Sequence, residues 1–175
     1  CTINHRGPDG EGYYIHGPIG LGHRRLSIID LTAAGKQPMS NEDGSIWIVY
    51  NGEIYNFMRI RTVLTSRGHV FSSQTDSEVI LHAYEEWGMD CLQKFNGMFS
   101  FALWDARQKR LWLVRDRLGI KPLFYCQLPS AFLFASEIKA ILEYPQVQRR
   151  VDIQALAYFL GLNYTPAPFT LFDSI

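Results

Sequence analysis

Short apolar runs broken by glycine fill the first third of the chain, as strands and turns require. Residues 12–16 (GYYIH) and 19–29 (IGLGHRRLSII) read as strands around a Gly17-Pro18 turn, and 46–50 (IWIVY) as a third. Residues 56–67 take a helical period that stops at Gly68. Next, Thr75 and Glu78 make a T-x-x-E capping box. Val79, Ile80, Ala83, Tyr84 and Trp87 then form one apolar stripe closed by Gly88, which predicts a second helix. Residues 97–104 and 111–116 flank a polar turn at 105–110 and predict a β-hairpin. Short strands at 123–126 and 132–135 precede a helix over 136–143. Strands and helices do not alternate regularly, so the expected class is α+β, with largely antiparallel sheets layered with helices. A polar, proline-containing stretch at 144–151 reads as a boundary, dividing 1–145 from 146–175. After it Asp152 caps a helix to Leu160, with Val151 and Leu156 at staple positions.

Composition narrows the class. Of 175 residues, 47% are hydrophobic and 19% charged, too apolar for disorder. Lys and Arg number 17 against 17 acidic residues, so nothing electrostatic points to nucleic acid or an anionic membrane surface. No apolar run approaches the roughly 20 residues that span a bilayer. Cys1, Cys91 and Cys126 are an odd set at unrelated spacings, implying no disulfide framework and fitting a reduced, cytoplasmic compartment. The chain opens on Cys rather than Met and closes in an apolar run, so it is expected to be a piece of a longer protein.

Metal and phosphate chemistry find little support. Histidines 5, 16, 23, 69 and 82 show no paired ligand spacing on a helix, so no metal site is expected. There is no P-loop, and Gly119-Ile120-Lys121-Pro122 reads as a turn between strands. Three polar spots remain. Arg24 and Arg25 lie inside an apolar strand and face opposite ways; a buried arginine needs a carboxylate, from the protein or from a ligand. Asn51-Gly52 follows a strand, either as a type I′ hairpin turn or as two neutral donors for an oxyanion. Asp76, not needed by the capping box, is free to accept an ammonium or to complement the helix dipole. Together they suit an α-amino acid with a reactive side-chain carbonyl.

HRGPDGEG (5–12), GHRRLSIIDL (22–31), QPM (37–39), VYNGEIYN (49–56), TDSEVI (75–80), FNGMFSFALWD (95–105) and RDRLGIKPLFY (115–125) resemble the glutamine-hydrolysing domain of asparagine synthetases. The resemblance implies a class II glutamine amidotransferase of the N-terminal-nucleophile hydrolase fold, an αββα sandwich. It implies that Arg25 holds the glutamine α-carboxylate, Asp76 its α-ammonium, Asn51 and Gly52 the oxyanion, and that Glu53 lines the pocket. The family's nucleophile is an N-terminal cysteine followed by Gly-Ile and a buried strand. Cys1 is followed by TIN and stands four residues before His5, so the nucleophile is expected upstream of this chain and not at Cys1.

The tail from Val151 resembles the entry to an ATP-dependent synthetase domain. The implied partners are therefore glutamine and a synthetase domain of the same polypeptide, with a homodimer compatible. No cofactor is implied in this domain; ATP and Mg belong to the synthetase. Two other readings share these motifs: an amidotransferase of polysaccharide or capsule synthesis with another acceptor, and a non-catalytic glutamine-binding or structural domain.

Overall fold

A computed structural model describes residues 2–27 and 29–175. Two compact units divide at Lys121/Pro122. In the first, β1 (Gly10–His16) and β2 (Ile19–Arg25) form an antiparallel pair turned at Gly17, whose φ of +55° suits glycine. β3 (Met39–Ser40), β4 (Ile46–Ile54), β5 (Gly97–Asp105) and β6 (Arg110–Arg115) form a four-stranded antiparallel sheet in that order. Helices α1 (Phe57–Ser66) and α2 (Asp76–Trp87) pack with it, and Ile48, Ile54, Leu64, Val79, Ile80 and Leu103 are fully buried in the shared core. The architecture is α+β with antiparallel sheets, as the irregular order of elements implies.

Several boundaries shift for physical reasons. The strand expected over 19–29 ends at Arg25, paired with Gly10, because Pro8-Asp9 turns the partner strand away. The Asp9 N–H donates to the Arg25 carbonyl and its carboxylate accepts from the Ser27 N–H at 2.8 Å. Leu26 and Ile29 are consequently exposed; Ile28 lies outside the described residues. At Asn51-Gly52 there is no hairpin turn, since β5 supplies partners as far as Gly97 and β4 continues to Ile54. β3, two residues long, is too short to leave a pattern. The capping box is half formed. Thr75 Oγ1 accepts from the Glu78 N–H, whereas the Glu78 carboxylate takes the N–H and hydroxyl groups of Ser72 and Ser73, each at 2.7 Å. Four donors from that loop outweigh the single one at Thr75.

In the second unit β7 (Phe124–Gln127) and β8 (Phe132–Ala135) pair antiparallel, followed by α3 (Ile138–Ile141) and α4 (Ile153–Leu162). Asp152 caps α4 through the Ala155 N–H, as expected. Cys126, Ile141 and Val147 share one small core, so the polar stretch at 144–151 is tied into this unit. Compactness thus divides the described residues at 121/122, with the 144–151 stretch inside the second unit. Among the described residues no helix is long and apolar enough to cross a membrane.

Candidate functional site

The first-unit site is built from the end of β2, the end of β4 and the start of α2. Arg24 and Arg25 do face opposite ways. Arg24 pairs with Glu11 and also donates to Asn4 and to the Gly7 carbonyl, so its charge is met within the protein. Arg25 has no carboxylate partner among the described residues. It donates to the carbonyls of Thr32, at 2.8 Å, and Asp30, which orient the guanidinium and leave further N–H groups unused. Asp30 anchors this loop: Oδ1 accepts from the Thr32 N–H and hydroxyl, Oδ2 from the Gln74 N–H at 3.1 Å just before α2. Those bonds, the Thr32 hydroxyl foremost, hold its carboxyl below the usual range. Gly35 lets the parts close up, since a Cβ there would lie 3.1 Å from both Arg25 Cζ and Thr75 Cγ2.

The edge of β4 carries the second part. Even-numbered residues of β4 direct their N–H and C=O groups toward β3, which pairs only with Trp47 and Ile48. Beyond it the edge is met by side chains. The Tyr50 N–H donates to Gln37 Oε1 at 2.7 Å, His23 Nε2 lies 3.2 Å from the Tyr50 carbonyl, and the Ile54 N–H donates to Asp76 Oδ2 at 2.9 Å. Gly52 lies between them. Its cross-strand neighbour Phe99 uses its own N–H and C=O on Asp116, so the Gly52 N–H faces the open edge and has no acceptor among the described residues. Beside it Asn51 Nδ2 is buried, also without a partner. Glycine is required here because a Cβ would come within 2.7 Å of Phe99 Cα. Strand alternation puts Glu53, which is exposed, on the same face as Asn51.

Asp76 supplies the third part. It is buried, and besides the Ile54 N–H its Oδ2 accepts from the Tyr50 hydroxyl at 2.6 Å. Burial raises its pKa despite those donors, while burial and the Asp76 charge drive the Tyr50 phenol far above its ordinary value, so Tyr50 stays a donor. Arg25 and Asp76 do not pair with each other among the described residues, which leaves a cation and an anion for a ligand. His23, a residue the sequence did not single out, is held neutral: burial lowers its pKa to about 4. Its Nε2 must carry the hydrogen given to the Tyr50 carbonyl, so its buried, unpartnered Nδ1 presents a lone pair. Tyr50 and Gln37 were likewise missed, since nothing local marks a core tyrosine or a loop glutamine as an edge cap.

The remaining expectations resolve simply. Cys91 and Cys126 are buried and free, and burial pushes the Cys91 thiol up to about 12, so neither is a nucleophile. Cys1 lies outside the described residues. The loop at 119–122 offers no free backbone N–H to a phosphate, because Asp116 accepts those of Gly119, Ile120 and Lys121 and Pro122 has none.

The sequence profile of a glutamine amidotransferase domain matches residues 1–175. Glutamine-hydrolysing asparagine synthetase 2 of Bacillus subtilis is 48% identical over 86% of this chain and 20% of its own length. Asparagine synthetase 3 of the same organism is 43% identical over 97% of this chain and 28% of its own. The chain thus spans less than a third of either relative. The solved structure of glutamine phosphoribosylpyrophosphate amidotransferase from Bacillus subtilis superimposes with a TM-score of 0.60 at 22% identity. That match covers 70% of this chain and 28% of the other, a likeness of fold.

Proposed function

Because the chain belongs to the glutamine amidotransferase domain family, we propose that the site binds glutamine and serves as the ammonia source of an asparagine synthetase. Arg25 takes the α-carboxylate, its guanidinium already oriented by Asp30 and Thr32; Asp76 takes the α-ammonium; Glu53 lines the approach. The attacking group is the thiol of an N-terminal cysteine, whose free α-amine, of ordinary pKa about 8, removes its proton. Addition to the side-chain amide carbon makes a tetrahedral oxyanion that accepts from Asn51 Nδ2 and the Gly52 N–H. The C–N bond then breaks, the amine's proton leaves with ammonia, and water hydrolyses the glutamyl thioester to glutamate. Ammonia passes to a synthetase domain of the same polypeptide, which holds ATP and Mg²⁺ and amidates aspartate. The glutamine site itself needs no cofactor.

One observation carries this reading: two neighbouring donors, a buried carboxamide and a strand-edge N–H, stand without acceptors among the described residues. Buried donors are normally satisfied, and paired vacancies suit an anion that exists only during reaction. The test is Asn51→Ala in the parent enzyme. Glutamine-dependent kcat should fall about 10²–10³-fold with KM little changed, while synthesis from free ammonia persists. Equal loss of both activities refutes the assignment.

A further inference from the structure

α2 is buried on more than its apolar stripe: the His82 side chain on another face is only 2% exposed. Its Nδ1 lies 3.2 Å from Nδ1 of His69, which follows α1, and 3.1 Å from Glu85 Oε2. His69 Nδ1 to Glu85 Oε2 is 3.9 Å. Both rings have acidic groups on the opposite nitrogen. His69 Nε2 is 3.2 Å from Glu86 Oε2, and Glu86 is itself paired with Arg67. His82 Nε2 faces Glu78 at 3.9 Å and Glu42 at 3.8 Å. A carboxylate only accepts, so Glu86 holds the His69 hydrogen on Nε2 and turns the His69 Nδ1 lone pair inward. His82 has carboxylates at both nitrogens, Glu85 the nearer, so its Nδ1 becomes a ligand when a metal displaces its hydrogen. Glu85 is oriented as well, because its Oε1 accepts from Asn41 Nδ2 at 2.8 Å and Oε2 is left facing the rings. Three potential ligand atoms therefore converge within 3.9 Å of one another, and a hydrogen on His82 Nδ1 can serve only one of the other two.

We propose that His69 Nδ1, His82 Nδ1 and Glu85 Oε2 bind a divalent transition metal of the zinc type, with a fourth position open to water. Metal bonds of about 2.0–2.1 Å in a tetrahedron separate ligand atoms by roughly 3.3 Å. Two of the three edges lie at that spacing, and a small rotation of the part-exposed Glu85 shortens the third. Two imidazoles with one carboxylate favour zinc-like ions over calcium or magnesium, which want oxygen. Glu86 behind His69 is the outer carboxylate that fixes tautomer and ring orientation in such sites. The ion would clip the segment after α1 to α2. It would lie next to a cavity of about 330 Å³ lined by Glu42, Phe71, Glu78 and His82.

The test strips the purified protein with a chelator, then titrates it with Co²⁺ followed by Zn²⁺. The expected result is one equivalent of Co²⁺ with the intense visible absorption of four-coordinate geometry, displaced by Zn²⁺, and a higher melting temperature in Zn²⁺. His69→Gln and Glu85→Gln should abolish that absorption, and Glu86→Gln should weaken Zn²⁺ binding about 10–100-fold. Circular dichroism on each variant separates site loss from misfolding, and the part-exposed His69 and Glu86 provide variants that do not open the core. Absence of stoichiometric binding, a weak six-coordinate spectrum, or wild-type affinity in the folded variants would overturn the proposal and leave a shared proton at the cluster.

Discussion

Two loops of the first unit are built by one device and end in different roles. After β2, Arg25 donates to the carbonyls of Thr32 and Asp30, and Asp30 collects the Thr32 and Gln74 N–H groups. After β6, Arg115 donates to the carbonyls of Gly119 and Lys121, and Asp116 collects the N–H groups of Phe99, Leu118, Ile120 and Lys121. Each strand thus ends in an arginine gripping the loop from outside and an aspartate gripping it from within. Burial alone would raise the Asp116 pKa, yet the four backbone donors bring it below the usual range. The difference is what stands in front. Gly35 lets the Arg25 guanidinium reach the start of α2, where Asp76 waits, whereas the Arg115 guanidinium donates to carbonyls of its own loop. A shared loop device becomes a binding element when its cation is aimed at a second, opposite charge.

The largest effect that could break this comparison is on stability. Asp116→Ala orphans several backbone donors at once and should cost about 2–4 kcal/mol in urea unfolding. Glutamine KM in the protein that remains folded should change little. A large rise in KM without loss of stability would mean that the second loop also serves the site.

Next come the arginines. Arg25→Lys should lower glutamine kcat/KM about 10–100-fold, because lysine lacks the parallel N–H pair that matches a carboxylate. Arg115→Lys should leave steady-state glutamine kinetics unchanged, and similar losses in both would erase the distinction. Asp30→Asn keeps an acceptor for Thr32 and loses the charge. It should raise glutamine KM by a few-fold through a loosened Arg25, with kcat unaffected, in the same assay.

The smallest effect is a pH slope at Asp76. Burial raises its folded-state pKa, so the ionised form is disfavoured in the fold. Its contribution to stability is complete below the unfolded carboxylate value and is lost as pH rises through the folded one. Asp76→Asn should therefore gain melting temperature relative to wild type between pH 3 and pH 7, while binding glutamine more weakly. A gap that closes with rising pH would show that the Tyr50 and Ile54 bonds outweigh burial.

Much of the fold was legible because the decisive interactions are local. The short apolar runs of β1 and β4, the Thr75 and Asp152 caps, and the glycines at 17, 68 and 88 with positive φ all act within a few residues. The candidate site was legible as residue types: Arg25 in an apolar strand, Asn51-Gly52 and Asp76 each carry a polar group in excess of what local structure needs. What each touches was not. Asn51-Gly52 looks like a hairpin turn until β5 pairs with it through Gly97, a contact across more than forty residues.

The sequence by itself determined the class of fold, the position of most elements and the residues that could carry amino-acid chemistry, since these follow from period, capping and chemical type. Tertiary structure alone decided which donors were left without acceptors. The Gly52 N–H faces an open edge only because β3 stops after two residues, and because Gln37 and Asp76 take the flanking positions from distant segments. The same holds for His69, His82 and Glu85, whose convergence depends on how α1 delivers its following loop to α2. Spacing on one element cannot register a distance between two. Packing sets that distance, through contacts whose partners lie far apart in the chain.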